Sequence, residues 1–323
     1  MKSAVCCLIT AAVMPAAALA QQADAWPSRM VRIVHGFGAS GSIDFYARLL
    51  AAQFKAKFGQ TAIVDMKPGA GGTIAAASVA RSAPDGYTLF LMASGHAAAP
   101  GLYNSLPYDP VNDFTVVSML TRSGLGIVAN ANAPFRTIQE MVEQARKRPG
   151  GIDYGTPGIG TGPHLAAAFM QAGAGISLNH IPYKTQGDLN TAVMAGQVPV
   201  IMTSLFGMNE LVNGGQVKLL AVTSKERAAR YPGVPTLDET VLPGFDVVGW
   251  TALAGPKGMP ASIVAKLNEL VRETMTNPQV VESLASNGTG PWITSPEEGR
   301  RILAAEVTRW TRMARDEHIA PEN

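Results

Sequence analysis

Val31-Arg32-Ile33-Val34-His35-Gly36-Phe37-Gly38-Ala39-Ser40-Gly41-Ser42-Ile43-Asp44-Phe45-Tyr46 runs from a β-branched stretch through a glycine-rich turn into a helical pattern. The same order recurs downstream. A helix is expected over Ile43–Lys57, with Phe45, Leu49, Ala52 and Phe54 on its apolar stripe and Gly59 as its stop. Strand Thr61–Asp65, helix Thr73–Ser82 and strand Tyr87–Met92 follow. Alternating strands and helices predict an α/β fold with mainly parallel sheets flanked by helices.

Beyond a turn-rich loop, Pro100–Pro110, the apolar stretch Phe114–Val128 is interrupted by Thr121-Arg122-Ser123-Gly124 and reads as a crossing between two lobes. A second series then begins. It comprises helix Thr137–Arg148 capped by Thr137, strand Ile152–Tyr154, a glycine-rich turn, helix Pro163–Ala172 and strand Ser177–Ile181. A helix over Gly187–Gly196, strand Val198–Met202, a helix around Asn209 and strand Lys218–Val222 complete it. Phe245–Leu253 reads as the return crossing, before helices Ala261–Met275, Pro278–Ser286 and Pro296–Asp316. The expected organisation is a discontinuous first lobe (27–122 with 250–320), a second lobe (123–249) and a hinge of two crossing segments. A chain of 323 residues suits two cores better than one.

The first residues carry an address. Lys2, an apolar run from Ala4 to Met14 and small residues ending in Ala18-Leu19-Ala20 have the form of a signal peptide, 1–20, cleaved near Ala20. Export to the periplasm without a membrane anchor is the expectation. Cys6 and Cys7 both lie in that leader, so cleavage would leave no thiol for a disulfide, metal or nucleophile. Losing Lys2 would also leave 25 basic against 24 acidic residues, a balance that suggests no nucleic-acid or membrane-surface partner.

Two loops, Phe37–Ser42 and Thr156–Gly162, each sit after a strand and before a helix. In open α/β sheets ligands bind at that end, and a helix N-terminus offers unpaired N–H groups with roughly half a positive charge. Glycines let a ligand reach the backbone, and Ser and Thr hydroxyls add donors. The candidates for anion contact are Gly38, Ala39, Ser40, Gly41 and Ser42 in one loop and Thr156, Gly158, Gly160, Thr161 and His164 at the other, His164 alternatively orienting its loop or packing as a hydrogen-bonded histidine. Ser94 and Thr203, at strand ends, join them, and Asp44 in the first helical turn is read as shaping its loop. The bland alternative is that the glycines only permit tight turns.

Gly36-Phe37-Gly38-Ala39-Ser40-Gly41 also spells G-x-G-x-x-G, and Asp65 ends the next strand, as in dinucleotide-binding proteins. Against an exported dinucleotide-dependent oxidoreductase, the leader lacks a twin-arginine signal. Pro68-Gly69-Ala70-Gly71-Gly72-Thr73 has no Lys-Ser/Thr for a P-loop and reads as a turn bordering the cleft. His35, His96, His164, His180 and His318 do not pair at metal spacing, and no G-x-S-x-G elbow occurs. No catalytic residue, metal or cofactor is expected.

Several segments together resemble the periplasmic receptors of tripartite tricarboxylate transporters, the Bug family. The resemblance is carried by Trp26-Pro27, Ala47-Arg48, Lys67–Gly72, Pro84-Asp85-Gly86-Tyr87 and Leu106-Pro107-Tyr108-Asp109-Pro110. It continues through Gly158-Ile159-Gly160-Thr161, Pro182-Tyr183-Lys184, Gly196-Gln197-Val198 and Pro243-Gly244-Phe245 with Trp250. It implies a two-lobe, hinge-closing binding protein without enzymatic activity. A small organic acid, a di- or tricarboxylate or an aromatic acid, would be held by the two loops and ordered water. The implied partners are that ligand and membrane transporter subunits, with a sensor protein as the alternative, and a monomer is expected. The family usually has Pro where Gly36 stands, Gly where Ser40 and Thr185 stand, and Asp where Pro199 and Thr203 stand. Losing an acid at Thr203 argues against a ligand with an ammonium group.

Overall fold

The computed structural model describes residues 26–316; the leader with its two cysteines and His318 lie outside them. Ten strands form one continuous hydrogen-bonded network. They are β1 (Val31–His35), β2 (Ala62–Met66), β3 (Thr88–Ala93), β4 (Phe114–Asn130), β5 (Asp153–Thr156), β6 (Asn179–Pro182), β7 (Val200–Ser204), β8 (Val217–Val222), β9 (Val248–Pro256) and β10 (Gly290–Pro291). Their spatial order is β2-β1-β3-β9-β4-β7-β5-β6, with β8 and β10 also on β4.

Each half is parallel at its outer strands. β1 pairs in parallel with β2 and β3, and β5 with β6 and β7. The central strands run antiparallel. β4 pairs with β9 from Phe114 to Gly124, then with β7 and β8 from Leu125 onward. The stretch read as an interrupted crossing is therefore one 17-residue strand that changes partners at its polar break. Two long strands, β4 and β9, join the halves.

The helices are α1 (Ser42–Phe58), α2 (Thr73–Ala80), α3 (Gly95–Leu102), α4 (Ile138–Lys147), α5 (Gly162–Ala174), α6 (Gln186–Met194), α7 (Asn209–Asn213), α8 (Ala261–Thr276), α9 (Pro278–Ser286) and α10 (Pro296–Asp316). On α1 the buried stripe is Ile43, Tyr46, Ala47, Leu50 and Phe54, whereas Phe45 and Leu49 are half-buried and Ala52 is exposed. That i, i+3, i+4, i+7 spacing turns the stripe from the expected one. These side chains pack with Ile33, Leu89 and Leu91 of the sheet and Ile263, Leu267 and Val271 of α8. Gly59 adopts φ 70° and donates its N–H to the Lys55 carbonyl, ending α1 as expected.

Helix α3 occupies part of the segment expected to be a loop. Pro100 removes one backbone donor and Gly101 weakens propensity, yet Ala97, Ala98, Ala99 and Leu102 bury against the core. Tertiary packing overrides the local breakers. Gly101 itself lies so close to α10 that an added Cβ would sit 2.7 Å from the Ala314 methyl.

Candidate functional site

The first loop leaves β1 at His35 and enters α1 at Ser42. Gly36 passes so close to Gly72 that a Cβ there would lie 2.3 Å from the Gly72 Cα, so this crossing of two turns requires glycine. Asp44 braces the loop from inside the helix. Its carboxylate accepts the Ser40 N–H at 3.3 Å and the Arg48 Nε–H at 3.0 Å. Burial raises the Asp44 pKa, but these hydrogen bonds outweigh it and hold the carboxyl below its usual value. His35, fully buried, accepts the Phe37 N–H on Nδ1 at 3.3 Å, and its Nε2 lies 3.7 Å from Asp44. Burial lowers the His35 pKa despite that carboxylate, favouring the neutral ring that can accept.

The second loop leaves β5 at Thr156 and enters α5 at Gly162, and it is braced in the same manner. The Gly160 N–H donates to His164 Nδ1 at 3.3 Å. Thr161 caps α5 by accepting the His164 N–H and donates its hydroxyl to the Gly158 carbonyl at 2.7 Å. Thr156 Oγ1 accepts the Gly158 N–H and lies 2.7 Å from His180 Nε2. His180 is sandwiched between His164 and Tyr154, with ring centroids 4.4 and 4.9 Å away. Burial, then the neighbouring His164, pushes His180 down to about 4, and burial lowers His164 as well.

The two loops face a common cavity of about 830 Å³, lined from both halves of the sheet. Gly38, Gly41, Ser42, Ser94, Gly158 and Thr161 line it. Ala39 and Ser40 lie off the lining, and Ser40 adopts φ 69°, a left-handed conformation that suits glycine. Thr156 and His164 stand behind the second loop as its braces. Gly160 instead meets the other half. An added Cβ on Gly71 or on Gly95 would lie 2.6 or 2.8 Å from the Gly160 carbonyl oxygen, so the halves are in contact here.

Thr203 does not reach the cavity. Its side chain is fully buried and donates to Gln186 Oε1 at 3.0 Å, while the next residue, Ser204, lines the cavity. Alternation along a strand sends neighbours to opposite faces, so placing the site one position early reverses the side chain.

Other lining residues were not named as contacts from sequence: Phe37 ahead of α1, Tyr46 on it, Ile159 in the second loop, and Thr121, Trp250 and Thr251 on the crossing strands. Thr121 and Thr251 are cross-strand partners whose hydroxyls meet at 2.7 Å. The turn at Pro68–Gly71 borders the cavity, as its composition suggested. Among the described residues that line it, Lys184 alone carries a formal charge, and Lys184 is exposed.

Positive character comes instead from backbone. The first turns of α1 and α5, from opposite halves, open on the cavity, and Ser94 places the start of α3 beside them. Gly41 gives α1 no side-chain cap, so its first N–H groups are not claimed by one. Asp65, where a dinucleotide's ribose would be read, is instead 3.3 Å from Arg32 in an ion pair and is not part of the lining. No cluster of His, Cys, Asp or Glu able to hold a metal occurs among the described residues. Nor is any helix among them long and apolar enough to cross a membrane.

Residues 46–318 match the model of the tripartite tricarboxylate transporter family receptor. The protein BugT of Bordetella pertussis is 32% identical over 296 residues, 91% of each chain. Among solved structures, the periplasmic binding protein BugD is 30% identical with a TM-score of 0.87, covering 92% of this chain and all of BugD. An R. palustris protein solved with adipate gives the same identity, coverage and score. MatC from Rhodopseudomonas palustris, solved with malate, is 30% identical with a TM-score of 0.83, covering 90% of this chain and all of MatC. Fold and sequence agree over nearly the whole chain, which belongs to the tripartite tricarboxylate transporter receptor family.

Proposed function

We propose that this chain is an exported receptor that captures one small organic carboxylate between two lobes and delivers it to a transporter in the inner membrane. The lobes are residues 27–122 with 250–320, and 123–249, and residues 1–20 direct the chain to the periplasm before cleavage. Supporting this reading above all, helix N-termini from opposite halves open on one cavity. A carboxylate placed there would accept N–H groups from both loops, so its binding energy would hold the halves together. Gly38, Gly41, Ser42, Ser94, Gly158 and Thr161 are the proposed contacts, with Asp44, Thr156 and His164 holding the loops that carry them. Thr156, whose hydroxyl pairs with the His180 imidazole, is fully buried and off the cavity lining, and the chain is proposed to bind without chemistry.

A thermal-shift panel tests this. A carboxylate at about 100 times its Kd should add about 2.7 kcal/mol of stability, and NAD none. Stabilisation by NAD but by no carboxylate would overturn the proposal.

A further inference from the structure

We propose that Thr185 is an affinity-determining residue: its methyl group packs on the first loop at Gly38 when the halves close, and so holds the shut form. The inference rests on the receptor reading above and deepens it. Part of the binding energy is assigned to a contact between the halves rather than to the ligand.

Thr185 stands between β6 and α6, on the half opposite the first loop, and lines the cavity with Gly38 and Gly41. A Cβ built on Gly38 would lie 3.3 Å from the Thr185 methyl carbon and 3.3 Å from the Lys184 carbonyl oxygen. One built on Gly41 would lie 3.9 Å from the Gln186 Cβ. The first loop therefore runs against the entry of α6. This contact is the counterpart of the one at Gly160, where the second loop touches the Gly71 turn and the start of α3. Each loop thus reaches a helix start of the other half. Farther along α1, Phe45 meets Phe206 across the same divide, with ring centroids 5.0 Å apart.

What the side chain offers to the first loop is fixed by its own helix. Thr185 Oγ1 caps α6, accepting the Asp188 N–H at 3.1 Å and donating to Asp188 Oδ2 at 2.7 Å. With the hydroxyl committed to the cap, the rotamer is set, and a β-branched side chain then has one place for its methyl. That place is beside Gly38, where the absence of a side chain leaves room for it. The two branches of Thr185 therefore do separate work. The hydroxyl holds α6 whether the cleft is open or shut, whereas the methyl loses water only when the first loop arrives. Serine would keep the cap and give up the methyl. Losing one such buried carbon weakens the closed complex roughly two- to fourfold.

Calorimetry on the mature chain with adipate, malate, citrate and 4-hydroxybenzoate, beside ligand-free thermal melts, tests the inference on Thr185→Ser, Gly38→Ala and the double variant. Thr185→Ser should bind every acid that the parent binds roughly two- to fourfold more weakly and by a common factor, while its ligand-free melting temperature stays level with the parent. Residues in contact couple, so the affinity of the double variant should depart from the product of the single effects by at least about twofold. The effects on ligand-free melting, where the halves are apart, should simply add. Unchanged affinity in Thr185→Ser, a loss confined to one of several bound acids, or a double variant equal to the product of the singles would overturn the inference and leave the receptor reading standing. Binding of none of the four acids by the parent would overturn the receptor reading itself.

Discussion

Gly95→Ala separates closure of the cavity from stability of the fold. Gly95 opens α3 without a positive φ, so alanine suits its backbone and is favoured in a helix by up to about 1 kcal/mol. The added methyl would meet the Gly160 carbonyl oxygen, on the other half of the sheet, at 2.8 Å. Its other near neighbours, the Gly71 oxygen at 3.4 Å and the Gly162 nitrogen at 3.5 Å, are ordinary contacts. To reach ordinary distance the second loop must recede by about 0.6 Å. Overpacking of this kind costs about 1–3 kcal/mol, which corresponds to roughly 5- to 150-fold in affinity. If the halves part when empty, the cost falls on the closed form alone. Calorimetry with a bound carboxylate should then show that loss, while the ligand-free melting temperature stays level or rises slightly. Unchanged affinity would refute the closure argument, and so would a lower melting temperature with affinity intact.

Other consequences follow from the same geometry. Ser40→Gly should stabilise the free protein by about 0.5–1 kcal/mol in denaturant titration, because it relieves a left-handed serine; destabilisation would contradict the strain. Asp44→Asn should weaken the brace on the first loop and reduce carboxylate affinity severalfold, with a stability loss of about 1–3 kcal/mol; full affinity would show that the loop holds its shape unaided. Acidification should destabilise in two stages. His96 and His180 are pushed from 6.5 down to about 4, so their stabilising effect is complete above pH 6.5 and is lost as pH falls toward 4, about 3 kcal/mol for His96 alone. Below that, Asp44 and Asp109, held below their usual values, lose their contribution as they protonate. A melting temperature flat between pH 7 and 5 would argue against the histidine stage.

The two loops that line the cavity were legible because the features that mark them are local: a β-branched run, clustered glycines and a helix start within about a dozen residues. The Thr137 and Thr161 caps belong to the same class of signal, although Thr161 was read as a ligand contact rather than a cap. The hydroxyl pair inside the cavity was not legible. Thr121 and Thr251 are 130 residues apart, and only the register of β4 on β9 joins them. The His180 brace on the second loop was hidden for a related reason, since it reaches Thr156 across the parallel pairing of β5 and β6. Thr203 shows how narrow the margin is, because strand geometry gives one face to Ser204 and the other to its neighbour. Helix α3 went unseen because Gly95, Pro100 and Gly101 signal a loop to any local reading, while the burial that makes it a helix is tertiary.

Amide NMR during titration with a carboxylate the protein binds tests the central idea most directly: one anion held by backbone from two opposing loops. The N–H signals of Gly38, Gly41 and Ser42 and of Ile159 and Gly162 should move together, with a common Kd and a shift toward stronger hydrogen bonding. Movement confined to one loop, or two loops titrating with different constants, would contradict it.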